Sequence, residues 1–230
     1  MNAEDYLNGK TLLIDKPLNW SSFQVVNKIR WLIRKQFNIK KIKVGHAGTL
    51  DPLATGLLLI CTGKSTKTIN ELQGQIKEYT GTITLGATTP SYDLETEINA
   101  TFNTDHLTEE IIRAATKQFM GEIAQLPPVF SALKKDGKRL YEYAREGEAV
   151  EINPRIIKIS EFEITSINGL NVNFRVVCSK GTYIRSLAHD FGKALNSGAH
   201  LSALKRTKIG NFSVDNAISV EGFEKSLNEN

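Results

Sequence analysis

One stretch restricts this chain more than any other. From Gly45 to Lys64 it reads Gly-His-Ala-Gly-Thr-Leu-Asp-Pro-Leu-Ala-Thr-Gly, then Leu-Leu-Leu-Ile-Cys-Thr-Gly-Lys. Gly45, Gly48 and Gly56 surround a single histidine, His46, and a single acid, Asp51. Glycine tolerates positive φ and lets a backbone come close to a ligand, while the apolar run from Leu57 to Ile60 can anchor the loop to a buried element. Asp51 is the first acid after Asp15, so it stands alone at the end of a basic segment. Such a carboxylate is either a helix cap or a catalytic group. With Pro52 behind it, the cap is the favoured reading of the dipeptide alone, Asp as N-cap and Pro at the first helical position. A phosphate loop ending at Gly63-Lys64-Ser65 is excluded by spacing, because that motif needs a glycine where Leu58 stands.

The 230 residues, 40% of them hydrophobic, suffice for a full core in one large domain or two small ones. No window approaches the ~18 consecutive apolar residues of a membrane span, and the N-terminus carries no signal-peptide pattern, so the expected location is the cytoplasm, away from any membrane. Cys61 and Cys178 lie in apolar strand-like surroundings without CxxC or Cys/His spacing, which predicts free buried thiols and no metal site. The net charge of +4 is unevenly spread: between Lys16 and Leu50 there are eight lysines and arginines and no acid. Blocks of this kind are usually a solvated face. This one leads into the glycine-rich loop and is matched by a second basic cluster, which favours a polyanionic partner.

Thr11 to Asp15 reads as a short buried strand closed by Lys16-Pro17. Ser21 or Ser22 caps a helix with Val25, Ile29, Leu32 and Ile33 on its inner face. After the central loop a helix is expected from Lys64 to Leu72, with Ser65 or Thr66 near its cap. Lys77 to Leu85 alternates as a half-buried strand, with Tyr79 on its apolar side; by pattern alone Tyr79 is an ordinary core aromatic. Thr108 caps a helix that turns Ile111, Ile112, Ala115 and Phe119 inward and ends at Gly121.

Leu126 to Arg155 changes character. Asp136-Gly137 is a hairpin-type turn, and Lys134, Lys135, Lys138, Arg139 and Arg145 interleave with Phe130, Tyr141 and Tyr143. Bases mixed with aromatics suit nucleic acid, and they suit equally a surface hairpin with snorkelling side chains. Two strands, Ile156 to Ile167 and Leu170 to Ser179, are joined by Asn168-Gly169, a strong hairpin signal. Arg185 then falls near the start of a helix carrying Leu187, Phe191 and Leu195, where a cation is poorly placed for the macrodipole unless it meets an anion. A short strand around Phe212 and a weak final helix end the chain. No repeat or linker appears, so one catalytic domain over 1–230, with a protruding basic insertion at about 126–155, is the simplest organisation.

In order along nearly the whole chain, Asp15-Lys16-Pro17, Gly45 to Leu57, Lys77-Glu78-Tyr79, Ser131 to Lys134, Leu140 to Arg145, Ser179 to Arg185 and Gly198 to Leu204 resemble the TruB-type bacterial tRNA pseudouridine synthases. The resemblance implies an α+β fold with a mixed, mostly antiparallel sheet flanked by helices. It also implies an enzyme that isomerises uridine to pseudouridine at position 55 in the T-loop of tRNA, without cofactor or metal and as a monomer. By position, Asp51 matches the family's catalytic aspartate and Tyr79 the tyrosine beside the target base. Tyr183 and Arg185 match the second aromatic and the arginine paired with that aspartate. His46 matches the histidine in the place of the extruded base, Leu204 a pocket residue and Lys16 a substrate-side lysine; the 126–155 insertion matches an RNA-gripping arm. Many members carry a C-terminal PUA-type domain, and none is expected within Asn230. The loop from Thr88 to Asp93 has Pro90 where relatives often have an acid and is given no role.

Overall fold

The computed structural model describes residues 2–228 except Ala132 and Ala149; the side chains of Lys134 and Arg145, two bases of the expected arm, lie outside the described residues. The chain forms two compact units, Met1–Tyr79 with Leu204–Asn230, and Thr80–Ala203.

The first unit opens with α1 (Ala3–Asn8), β1 (Thr11–Lys16) and α2 (Ser22–Phe37). Ser21 is the cap of α2: its hydroxyl accepts from Gln24 N–H while Gln24 returns a bond, and Asn38 ends the helix in the left-handed conformation. Next come β2 (Val44–His46), β3 (Ala54–Thr62), a 3-10 turn over Gly63–Thr68, α3 (Ile69–Gly74) and β4 (Lys77–Leu85). Two expectations fail here. No helix follows Asp51; Ala54 N–H bonds to the Asp51 carbonyl at 3.1 Å and the chain turns straight into β3. The helix expected from Lys64 is instead the 3-10 turn followed by α3. Thr66 Oγ1 and Thr68 Oγ1 bond back to the carbonyls of Gly63 and Ser65, three residues earlier, which holds the tighter winding and leaves no hydroxyl to cap.

The second unit contains the remainder of β4, then β5 (Ala87–Thr88), β6 (Ala100–Thr101), α4 (Glu109–Ala115) and β7 (Gly121–Gln125). A hairpin of β8 (Lys134–Lys135) and β9 (Lys138–Arg139), with Asp136 and Gly137 at positive φ, leads into α5 (Leu140–Glu146). β10 (Arg155–Asn168), β11 (Asn171–Cys178), α6 (Ile184–Ala194) and the first half of β12 (Ala199–Ile209) complete it, with strand order β12-β4-β11-β10-β7. Phe162 packs edge-on against Phe174 and Phe191, and Phe119 joins them. Thr108 caps α4 as expected, but Ile111 is exposed while Ile112 and Phe119 are buried. α4 is only seven residues long and tightens into a 3-10 turn, so its narrow inward stripe takes Ile112 alone, and Gly121 opens β7 rather than closing a helix.

The chain returns to the first unit through the rest of β12, β13 (Phe212–Ser213), β14 (Ile218–Ser219) and α7 (Val220–Asn228). Here the strand order is β14-β1-β3-β12-β4, with β2 on β3 and β13 on β12. β3 runs antiparallel to β1 and parallel to β12. Leu58 and Ile60 face a cluster with Val25, Ile29 and Phe223, from α2 and α7; Leu57 and Leu59 face another with Ala47 and Ile209. A strand covered on both faces needs apolar residues at consecutive positions, hence the unbroken run after the loop. The mixed, mostly antiparallel sheet flanked by helices is the one implied by the family resemblance.

Candidate active site

The loop between β2 and β3 carries Asp51, and its backbone is pinned residue by residue. Ser22, buried at the start of α2, uses one hydroxyl twice: it accepts from Leu50 N–H at 2.8 Å and donates to the Leu50 carbonyl at 3.0 Å. On the other side of Asp51, the Pro52 carbonyl accepts from Asn19 N–H at 2.9 Å and from Lys16 Nζ at 3.3 Å. Earlier in the loop, Ala47 N–H reaches the Leu59 carbonyl at 2.9 Å. Arg206, 1% exposed, spans the loop from β12: Nε donates to the Leu57 carbonyl at 2.8 Å and Nη2 to the Gly48 carbonyl at 3.0 Å. Gly56 has φ +100°, and a Cβ there would lie 2.3 Å from the Arg206 carbonyl, so only glycine lets β3 and β12 meet at this point. A half-buried carboxylate is thus held by bonds on both flanks rather than by the mobility usual in a loop.

Lys16 is wholly buried. Its ammonium donates to the carbonyls of Pro17 (2.8 Å), Trp20 (2.5 Å) and Pro52. Burial lowers its pKa to about 8; the Asp51 charge opposes that fall, and the Arg206 guanidinium adds to it. His46, on β2, is driven below the ordinary imidazole value first by burial and then by Arg206, against a backbone bond at Gly48. Its ring is therefore neutral near pH 7, and its Nδ1 has no hydrogen-bond partner among the described residues. Tyr79 is buried on β4, and Leu204, half-buried on β12, lies in register with Ala54 and accepts from Thr55 Oγ1 at 3.3 Å. The first unit therefore places Lys16, His46 and Leu204 on strands adjoining the Asp51 loop and carries Tyr79 buried on β4.

The second unit holds Tyr183 and Arg185. Tyr183 caps α6 through its backbone, and the buried Gln125 clamps it: the Gln125 side-chain oxygen accepts Tyr183 N–H at 2.8 Å and its amide donates to the Tyr183 carbonyl at 3.0 Å. Arg185 is 4% exposed; its Nε lies 3.6 Å from Asp93 Oδ2 and its Nη1 donates to the Ser91 carbonyl at 3.3 Å. A buried carboxylate facing it offsets the cost of removing a guanidinium from water. Tyr92, at φ +65°, stacks on His189 with ring centroids 3.8 Å apart. His189 sits one turn after Arg185 on α6, so the loop carrying Asp93 is fixed to the same helix by two side chains.

The arm bases with described side chains, Lys135, Lys138 and Arg139, have partners within the 126–155 segment. Lys138 pairs with Glu146 and, at 3.4 Å, with Glu148, and its ammonium sits 4.4 Å from the Tyr143 ring centre. Lys135 Nζ donates to the Glu151 carbonyl at 2.7 Å, and Arg139 faces the Tyr141 ring. Sequence reasoning missed Ser22 as a loop clamp, Arg206, Gln125 and Asp93. The last lies in the Thr88 to Asp93 loop, to which the sequence assigns no role, and its contact with Arg185 crosses 92 residues of sequence.

A family model described as TruB family pseudouridylate synthase (N terminal domain) matches residues 34–184, and one described as tRNA pseudouridylate synthase B C-terminal domain matches residues 185–230. The chain is 66% identical over 228 residues to the tRNA pseudouridine synthase B of Flavobacterium johnsoniae, covering 99% of this chain and 100% of that protein. It is 55% identical to that of Phocaeicola vulgatus, over 98% of this chain and 96% of the relative. Among solved structures it resembles a chain of a Cbf5-Nop10-Gar1 complex with TM-score 0.72 and 32% identity, over 96% of this chain; it spans only 55% of that longer chain. With the full length matched at such identity, this chain belongs to the TruB family of pseudouridylate synthases.

Proposed function

We infer that the chain isomerises uridine to pseudouridine in tRNA, at position 55 of the T-loop. The observation that carries this reading is the pinned Asp51 loop in a chain that is 66% identical, end to end, to a tRNA pseudouridine synthase B. In the reaction the N1–C1′ bond breaks, the uracil turns, C5 bonds to C1′, the C5 hydrogen leaves as a proton and N1 ends protonated. Nothing is oxidised or transferred away, so the chemistry calls for a nucleophile, a proton shuttle and a dry pocket rather than a group carrier.

Asp51 is assigned the nucleophile; attack at C1′ or at C6 of the base leads to the same product. Tyr79 is assigned the ring on which the base stacks and the hydroxyl that helps remove a proton. Tyr183 and Arg185 supply the second ring and the positive charge on which the reaction draws. His46 takes the place vacated by the flipped nucleotide, and Lys16 and Leu204 line the substrate side. Flipping costs on the order of a few kcal/mol, which base stacking of ~1–3 kcal/mol per base and phosphate contacts at the 126–155 arm offset. The reading includes a monomer working in the cytoplasm; no helix among the described residues is long and apolar enough to cross a membrane.

The test is carbodiimide labelling with primer extension on an unmodified tRNA transcript, comparing the wild type with Asp51→Asn. The wild type gives one stop, in the T-loop, and the variant gives none. Equal stops from both would remove Asp51 from its role.

A further inference from the structure

Away from the Asp51 loop, at the far end of β3, the first unit encloses a cleft of about 680 Å³ with a marked charge imbalance. It is lined by seven cations and by no carboxylate. Two basic runs distant in sequence meet there. Lys40, Lys41 and Lys43 come from the segment after α2, and Lys64 and Lys67 from the 3-10 turn after β3. Pairing of Val44 with Thr62 and the bond from Gly63 N–H to the Lys43 carbonyl, at 2.8 Å, hold the runs together. Gly63 makes this closure possible, since a Cβ on it would lie 2.1 Å from the Leu7 carbonyl. Arg30 and Arg34 form the α2 wall and fix its backbone edges, Arg30 through the Val44 carbonyl at 2.9 Å and Arg34 through the Ile39 carbonyl at 3.3 Å. Among the described residues none of the seven is in an ion pair.

Two features say what such a cleft takes. The five lysines are exposed point charges on flexible stems, which suit a spread of phosphates better than one small anion held in fixed geometry. The cleft also lies beyond Thr62, whereas Asp51 precedes Ala54; the strand between them spans about 26 Å at ~3.3 Å per residue. A nucleotide reacting at Asp51 therefore leaves the cleft to phosphates from another part of the same RNA. We propose that this cleft binds the phosphodiester backbone of the tRNA outside the loop that enters the active site. The proposal rests on tRNA being the substrate, and it gives a catalytic unit of this size a second grip on its RNA.

The experiment replaces Lys40, Lys41, Lys43, Lys64 and Lys67 with alanine in the full chain. Affinity for an unmodified tRNA transcript is titrated across salt, and single-turnover modification is measured at saturating tRNA. Each lost phosphate contact lowers the salt slope by about 0.7–0.9, so a slope smaller by about 2 to 4 and an affinity at least about tenfold weaker near 0.1 M salt are expected, with the saturated rate within about twofold. Lys→Arg replacements at the five positions keep the wild-type slope, and a control removing the exposed Lys117 and Lys225 changes neither quantity. If the fivefold variant melts early, the exposed pair Lys40→Gln/Lys41→Gln carries the same test with a proportionally smaller shift. An unchanged slope, or an equal loss in the control, overturns the cleft. A wild type that binds tRNA but modifies none of it would instead overturn the functional reading, and the titrations would still decide the cleft.

Discussion

The guanidinium of Arg206 donates to the carbonyl of Gly48 at 3.0 Å, and through that bond a residue late in the chain sets the shape of the loop bearing Asp51. Its second bond, to Leu57, closes the same loop where β3 begins to run buried. Arg206→Ala leaves both carbonyls without this donor, at a cost of about 1–3 kcal/mol for each buried group. The expected outcome is a lower melting temperature together with single-turnover modification slowed by at least about tenfold, read on saturating tRNA. Arg206→Lys, which cannot fork to both carbonyls, falls between the two.

Gly56→Ala should be the more damaging change although it alters no functional group. The added methyl meets the Arg206 carbonyl at 2.3 Å in a backbone conformation with φ +100°. Urea denaturation is expected to show a loss of at least about 3 kcal/mol, in the range reserved for overpacking and backbone strain acting together. Stability within about 0.5 kcal/mol of the wild type would show that the two strands can part without consequence.

Gln125→Leu keeps the size of a side chain 3% exposed but removes both of its bonds to the Tyr183 backbone. Modification at saturating tRNA should fall more than affinity does, because the ring and the start of α6 lose their fixed direction while the basic surfaces are untouched. Stopped-flow binding and single-turnover assays on the same preparations separate the two quantities.

His189 makes stability depend on acid. Burial, with Lys193 adding, lowers its pKa from 6.5 to about 4, so between these values the unfolded chain binds the proton and the folded chain does not. Its contribution is complete above pH 6.5 and is lost as pH falls toward 4. Asp190 beside it is pushed the other way, upward by burial, and works against this slope. Melting curves of wild type and His189→Phe from pH 4 to 7 isolate the effect: the variant keeps a ring against Tyr92 and should show the shallower acid loss.

The fold was legible wherever periodicity and turn chemistry agreed. The α2 cap at Ser21, strand β4, the hairpin turn at Asn168-Gly169 and both buried cysteines follow from local rules. β12 did not, because its outward positions carry Lys205 and Lys208 and its inward ones include a fully buried arginine, so its pattern is neither alternating nor apolar. The Asp51-Pro52 dipeptide misled for the opposite reason: its helix-start signal is real locally but is overruled by the pinning of Leu50 and Pro52 from β1 and α2. Around Arg185, the misplaced charge was visible in the sequence. Its neighbours Ser91 and Asp93 were not, since a contact across 94 residues leaves no local trace.

The parallel pairing of β3 with β12 has a bearing on how the protein is made. Arg206 and Leu57 are 149 residues apart, yet their bond is part of what gives the Asp51 loop its form. A ribosome that has released only the first quarter of the chain has delivered the aspartate without the strand that shapes its surroundings. Such long-range closure is slow to assemble. The loop around Asp51 therefore takes its final shape only once the last segment of the chain has emerged, and a truncated product ending before β12 would present that loop without either of its Arg206 bonds.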